Sequence, residues 1–241
     1  MKAAVILGAS GQIGSSIAEE LAADGWSLYL QGFTHYSKVQ EMASGFSKKY
    51  PKQDFFPISF DMSQEVDIDI FVSSLFQVDA IVFAQGLTNR SLLTDMTATD
   101  MDYMWKVHIK IPLLLVQKLQ AKLTKSGRGR IVFISSVYGN SGSSMEVFYS
   151  MTKGAQDAFV KSYSKEVASM NLTVNAIAPG AIETSMNGFL NTHETRELIE
   201  KIPVGRMGRP SDVSFWVQKL LMEESSYMTG QILTISGGWL N

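Results

Sequence analysis

The chain has 241 residues with 45% hydrophobic side chains, enough for one large α/β core. Its formal charge of -2 and pI near 5.9 supply no basic surplus, so no nucleic-acid partner is expected and small ligands are favoured. There is no cysteine, and His35, His108 and His193 stand far apart, which excludes disulfides, thiolate metal sites and a sequence-local zinc motif; no metal is expected. The first apolar run, Ala3–Leu7, follows Met1-Lys2 as in a signal peptide, but it is too short for that role and ends at Gly8. It is predicted as a strand. No later stretch reaches the length of a membrane span, so a cytoplasmic protein without a membrane partner is expected, and the sequons at Asn89 and Asn171 are chance occurrences.

The strand leads into Gly8-Ala9-Ser10-Gly11-Gln12-Ile13-Gly14 and directly into a helix on which Ile13, Ile17 and Leu21 repeat every four residues, with Gly25 just past its end. Glycines between strand and helix let the backbone approach a pyrophosphate, and free amides at the helix start bind it. A second strand, Ser27–Leu30, is followed by Gln31-Gly32-Phe33-Thr34-His35-Tyr36-Ser37-Lys38. A site for NAD places a carboxylate there, on the ribose 2′-hydroxyl. This stretch has none, and Thr34, His35 and Lys38 offer donors or positive charge, so NADPH is expected over NADH.

Further strands are predicted at Phe55–Phe60, Ala80–Phe83, Arg130–Ile134, Thr173–Ile177 and Gln231–Ile235, making seven. Helices are predicted around Asp100–Leu123, Val147–Met170 and Ser211–Met222, and the polar segment Asn187–Lys201 is expected to act as a mobile lid. Apolar runs alternating with helical period imply a Rossmann-type, doubly wound parallel sheet with helices on both faces. No repeat, low-complexity tract or linker divides the chain, so residues 1–241 are expected to form a single dinucleotide-binding domain.

Tyr149 and Lys153 lie four apart within the Val147–Met170 helix, on one face and a turn from each other. A phenol of ordinary pKa about 10 is a poor acid–base at neutral pH; a neighbouring cation is expected to lower it, making the pair a proton relay.

With Ser136 thirteen residues before Tyr149, the chain resembles the short-chain dehydrogenase/reductase family over nearly its whole length. The resemblance implies that Ser136 holds a substrate carbonyl, that Tyr149 protonates it and that Lys153 also grips the nicotinamide ribose. It further implies a cofactor site built from Gly8, Ser10, Gly11, Gln12, Ile13, Gly14, Phe33, Thr34, Asp61, Met62, Ala84, Gly86, Tyr149, Lys153, Pro179, Gly180, Ile182 and Thr184. Ile202-Pro203-Val204-Gly205-Arg206, Tyr227-Met228-Thr229-Gly230-Gln231 and Ser236-Gly237-Gly238 match its C-terminal third. Three features depart from the family pattern. The glycine turn is spaced G-x-x-G-x-x-G, and Ala84-Gln85-Gly86 replaces an Asn-Ala-Gly, which puts an adenosine contact and a strand brace in question. His108 stands where many members carry an asparagine that anchors a water near the lysine, and it is expected to keep the proton path in altered form or to be a packed helix histidine.

The chain is similar to the 3-oxoacyl carrier-protein reductases, which act on β-keto thioesters with NADPH. The run Gly142–Gln156, His108 and the terminal Gly237-Gly238-Trp239 also resemble the bacterial elongation factor P 5-aminopentanone reductases, which reduce a ketone carried on a lysine of a translation factor. Under that likeness Glu146 is expected to meet a substrate ammonium; a carboxylate answering the helix dipole explains it equally. For a carrier protein, Lys122, Lys125, Arg128 and Arg130 would form a basic patch, although a solvated helix end also explains them. A non-catalytic NADPH sensor is the remaining alternative, disfavoured because a sensor needs no acid. Family relatives commonly form tetramers through the helices at Asp100–Leu123 and Val147–Met170, so a homotetramer is expected.

Overall fold

The computed structural model describes residues 2–188 and 191–240. Its core is one seven-stranded sheet, all parallel, in the order β3-β2-β1-β4-β5-β6-β7. The strands are β1 Lys2–Leu7, β2 Trp26–Gly32, β3 Phe55–Ser59, β4 Ala80–Phe83, β5 Arg130–Ile134, β6 Thr173–Pro179 and β7 Ile232–Ile235. All seven predicted strands are present with ends moved by one or two residues. Pro57 is accommodated because β3 is an edge strand, where a missing amide breaks no ladder on the open side.

Successive side chains of the inner strands feed opposite faces, which is why these strands are mostly apolar. Val5 and Leu7 join Phe83 and Phe133 in one core under α3 (Ile68–Ser73), α5 (Ile111–Lys125) and α7 (Val147–Val167). Ala4 and Ile6 join the other core, under α1 (Gln12–Ala23), α2 (Tyr36–Lys49) and α9 (Pro210–Leu221). The remaining helices are α4 (Ala98–Trp105), the single turn α6 (Tyr138–Ser141) and α8 (Thr192–Glu200). Among the described residues no helix is long and apolar enough to cross a membrane.

The predicted helix Asp100–Leu123 is not regular. Between α4 and α5 the chain makes a wider π turn, Lys106–Lys110, and Pro112 follows at the start of α5. An α-helix would send the amide of residue 112 to the carbonyl of His108; proline has no amide to send. The polar segment Asn187–Lys201 contains α8, started by a capping box in which Asn191 Oδ1 accepts from the Glu194 amide at 3.0 Å and Glu194 Oε2 accepts from Asn191 N at 2.9 Å. Phe189 and Leu190 of that segment lie outside the described residues.

The strand order reverses direction between β1 and β4, and the loops leaving their carboxyl ends diverge there into a crevice. The residues singled out from sequence gather at that end of the sheet.

Candidate active site

Three cavities with shared walls form a trough across the carboxyl ends of the strands. The largest, about 750 Å³, runs from Gly8, Ser10 and Gln12 past Phe33 and Thr34 to Asp61 and Met62. The second, about 220 Å³, shares Gly11, Gln12, Ala84 and Gly86 with it and continues to Ser136, Tyr149, Lys153, Pro179, Gly180, Ile182 and Thr184. Together the two are lined by every residue expected at the cofactor, including Ile13 and Gly14. The third, about 360 Å³, opens from Ser136 and Tyr149 toward Thr88, Arg90, Glu146, Glu194, Glu197 and Lys201.

The glycine turn is built for close approach. Gly8 has φ +75°, and a Cβ there would lie 2.6 Å from Cα of Gln85 on the neighbouring loop. A Cβ on Gly14 would lie 2.2 Å from the Gly8 carbonyl oxygen. No side chain caps α1 at Gly11, leaving its first-turn amides for a ligand. Gln31 braces the turn: its Oε1 accepts from Gly8 N at 2.8 Å and its Nε2 donates to Phe60 O at 2.5 Å. Gln12 reaches across the trough, accepting from Ser185 N at 2.5 Å. Lys38 Nζ donates to Ser10 O at 2.8 Å, beside Thr34 and His35 on the cavity wall. Asp61 accepts from the Ser63 amide at 2.8 Å. A narrow glycine turn, an uncapped helix start and a long trough ending at paired hydroxyls fit an extended dinucleotide.

The loop after β5 carries Ser136, and the first turn of α7 carries Tyr149, which α6 and α7 pack into place. The Ser136 hydroxyl lies beside the Tyr149 phenol and accepts from Tyr138 N at 3.2 Å. Lys153 follows one turn later, 2% exposed. Its Nζ lies 5.6 Å from the centre of the Tyr149 ring, donates to Ile134 O at 2.7 Å and to Gln156 Oε1 at 3.2 Å.

The protonation of this pair differs from the sequence expectation. Burial pushes the Tyr149 phenol well above its ordinary value, with the Ser136 hydroxyl opposing and the Glu146 charge adding to the rise. Lys153 does not draw it down. Burial brings Lys153 itself down to about 8, against the pull of the Asp157 carboxylate. The expectation of a cation-acidified phenol is corrected: desolvation, invisible in spacing, outweighs the neighbouring charge. At neutral pH the site holds a protonated phenol, which is the form that donates.

His108 is brought near but not into this group. It is fully buried in the π turn. Its Nε2 accepts from Leu87 N at 3.1 Å, so Nδ1 carries the proton and donates to Thr152 Oγ1 at 2.8 Å. Thr152 in turn donates to Tyr149 O at 2.7 Å. Burial holds the imidazole well below its ordinary pKa, with the Lys153 charge adding to the depression. Of the two expectations for this position the packed helix histidine matches the structure: the ring ties the loop after β4 to α7. Where a strand brace was in question, Gln85 Nε2 donates to Val107 O of the π turn at 3.2 Å, a contact to a helical segment and not to a strand.

Glu146 does not cap α7; its Oε1 accepts from Thr88 Oγ1 at 2.7 Å on the wall of the third cavity. The basic run Lys122–Arg130 is only partly free, with Lys125 and Arg128 exposed. Lys122 Nζ donates to the carbonyls of Val72 and Leu75, Arg128 lies 3.7 Å from the buried Asp79 carboxylate, and Arg130 is 3% exposed. Arg130 also begins β5, at the sheet end opposite the trough. Sequence reasoning overlooked Gln31, Thr152 and Gln156, whose partners are distant in the chain.

A family model described as enoyl-(acyl carrier protein) reductase matches residues 8–240. The chain is 39% identical to an uncharacterized oxidoreductase, YmfI, of Bacillus subtilis, over 99% of this chain and 98% of that one. It is 33% identical to the 3-oxoacyl-[acyl-carrier-protein] reductase FabG of Aquifex aeolicus, over 98% and 96%. Among solved structures, the angucycline C-6 ketoreductase LanV with bound NADP superposes with TM-score 0.91 at 25% identity, over 99% of this chain and 95% of that one. LugOII, a reductase of keto-reduction at C1 in lugdunomycin biosynthesis, does so with TM-score 0.91 at 26% identity, over 100% and 98%. With the sheet order, the glycine turn and the Ser136–Tyr149–Lys153 grouping already in place, these likenesses have one meaning: the chain belongs to the short-chain dehydrogenase/reductase family of NAD(P)-dependent oxidoreductases.

Proposed function

We propose that this protein is a cytoplasmic, NADPH-dependent ketone reductase, and that its substrate is the 5-aminopentanone group on a lysine of elongation factor P, reduced to the alcohol. The observation that carries the reductase reading is the meeting of Ser136 and Tyr149 on the wall shared by the two smaller cavities, with Lys153 behind them. A bound reduced nicotinamide supplies the hydride. Ser136 donates a hydrogen bond to the ketone oxygen, and Tyr149, kept protonated by burial, hands it the proton that completes the alcohol. Lys153 Nζ, 5.6 Å from the centre of the Tyr149 ring, is itself held by Ile134 O. A sensor has no use for this arrangement. NADPH is preferred because Thr34, His35 and Lys38 line the cavity where NAD sites place a carboxylate.

The aminopentanone reading rests on Glu146, anchored through Thr88 with its carboxylate on a cavity wall that carries Glu194 and Glu197 beside Arg90 and Lys201, three carboxylates against two cations. Carboxylates there suit a substrate ammonium. Reduction of a 3-oxoacyl carrier-protein thioester is the second reading, favoured by the likeness to the Aquifex aeolicus reductase; the commitment of Lys122 and Arg130 within the fold weakens it. A homotetramer through α4, α5 and α7 is part of the proposal, supported by exposed Tyr103, Trp105, Val147 and Met151 on those helices. The test compares NADPH consumption on aminopentanone-modified elongation factor P with that on a β-ketoacyl thioester. Faster turnover of the thioester would reverse the order of the two readings. Unchanged kinetics of Glu146→Gln on the aminated ketone would remove Glu146 from recognition.

A further inference from the structure

Behind Lys153 lies a polar contact that the reductase chemistry above does not use. Gln156 is one helical turn beyond the lysine on α7 and 1% exposed. Its Oε1 accepts from Lys153 Nζ at 3.2 Å, and its Nε2 donates to the backbone carbonyl of His108 at 2.9 Å. Residue 112 is proline, so this carbonyl cannot receive the amide that an α-helix would send it. A buried carbonyl without a donor is costly, so Pro112 creates a fixed acceptor and the carboxamide of Gln156 is oriented by it. The orientation is one-way: Nε2 must face His108 O, which leaves Oε1 to face the ammonium.

We propose that Gln156 is a positioning residue for Lys153, a buried carboxamide that couples the ammonium to the π turn and closes the space behind it with a group that holds a proton donor but does not pass a proton on. Two of the three ammonium donors are thereby committed, to Ile134 O and Gln156 Oε1, and the third is left for the side of Tyr149 and the trough. A carboxamide is neither an acid nor a base near neutral pH, so the phenol regains its proton from the cleft and not through Gln156. The other titratable groups around Lys153 are Tyr149 and Asp157 on α7 and His108 on the π turn. Asp157 favours the ammonium, and the neutral imidazole faces Leu87 and Thr152.

The catalytic meaning of this contact rests on the reductase reading; the contact does not. Titration of 13C-labelled lysine by NMR in the full chain reads the ammonium without turnover, with Lys153→Arg used to assign the resonance. The wild type is expected to titrate at about 8. Gln156→Met removes the acceptor and moves the midpoint down by about one pH unit; Gln156→Glu, of the same size, moves it up by about one to three units. In turnover with NADPH and a ketone, the alkaline limb of kcat/KM moves in the same order. A Lys153 resonance that titrates at one pH in all three proteins overturns the proposal. Should Gln156→Met fail to fold, the isosteric Gln156→Glu decides alone. A wild type that reduces no ketone, yet shows the displaced titrations, would sink the reductase reading and leave the coupling standing.

Discussion

Gly14→Ala sets two effects of opposite sign against each other. Gly14 lies in the first turn of α1, and alanine is favoured over glycine within a helix by about 1 kcal/mol. Against this, the new Cβ would lie 2.2 Å from the Gly8 carbonyl oxygen, 2.9 Å from its carbon and 3.0 Å from Ala9 Cα. All three are backbone atoms, so no side-chain rotation relieves the contact. Overpacking of this kind costs about 1–3 kcal/mol, and the clash therefore offsets or exceeds the propensity gain. For a chain of this size each kcal/mol moves Tm by about 2–4 °C, so a net fall of up to about 8 °C is expected. Gly45→Ala in α2 is the control: its Cβ would meet nothing within 4 Å, so only the propensity gain remains and Tm should rise. Thermal unfolding followed by circular dichroism, with NADPH binding measured by fluorescence titration, separates the outcomes. The turn must shift to admit the methyl group, so Gly14→Ala should also bind NADPH at least tenfold more weakly. Equal stability gains in both variants, with NADPH affinity intact, would refute the claim that the Gly8–Gly14 approach shapes the cofactor turn.

Tyr149→Phe keeps the ring and removes the donor, so turnover should fall by about 10²–10⁴-fold while NADPH still binds; retained turnover would remove Tyr149 from the chemistry. Because burial brings Lys153 to about 8, the lysine is charged below that pH and neutral above it. Reductase activity that needs the ammonium should therefore decline as pH rises through about 8, and a rate flat to pH 10 would contradict this. His108→Leu leaves the buried Leu87 amide and Thr152 hydroxyl without the ring that now joins them. A loss of about 2–4 kcal/mol in denaturant unfolding is expected, and an unchanged midpoint would show that the ring bridge is idle. Lys38→Ala should reduce the ratio of NADPH to NADH efficiency, measured as kcat/KM for each; an unaltered ratio would remove Lys38 from cofactor choice.

The strands were legible because a parallel sheet covered on both faces is apolar at most positions, and such runs stand out. The glycine turn was legible because its backbone constraint falls on residue type. Helix α2 was harder to see: it buries only Val39 and Ala43, too few to print a clear period. The π turn was hidden for a different reason. Pro112 was visible within the predicted Asp100–Leu123 helix, but its effect is to deny a carbonyl its α-helical amide, and what meets that carbonyl lies on another helix. The basic run Lys122–Arg130 looked like a patch because sequence neighbours were read as spatial neighbours; the fold sends Lys122 to α3 carbonyls and Arg128 toward Asp79.

The linear order of residues was enough to determine the sheet-and-helix alternation, the phosphate-facing turn and the identity of the hydroxyl, phenol and amine at the site, because each is dictated by local periodicity, backbone freedom or side-chain chemistry. Tertiary structure alone decided the protonation of Tyr149 and Lys153, the seating of the His108 ring between Leu87 and Thr152 and the clasp of Gln156 on the lysine. Those depend on how much water each group has lost and on which distant carbonyl or amide faces it, and neither quantity exists until the chain has closed around them.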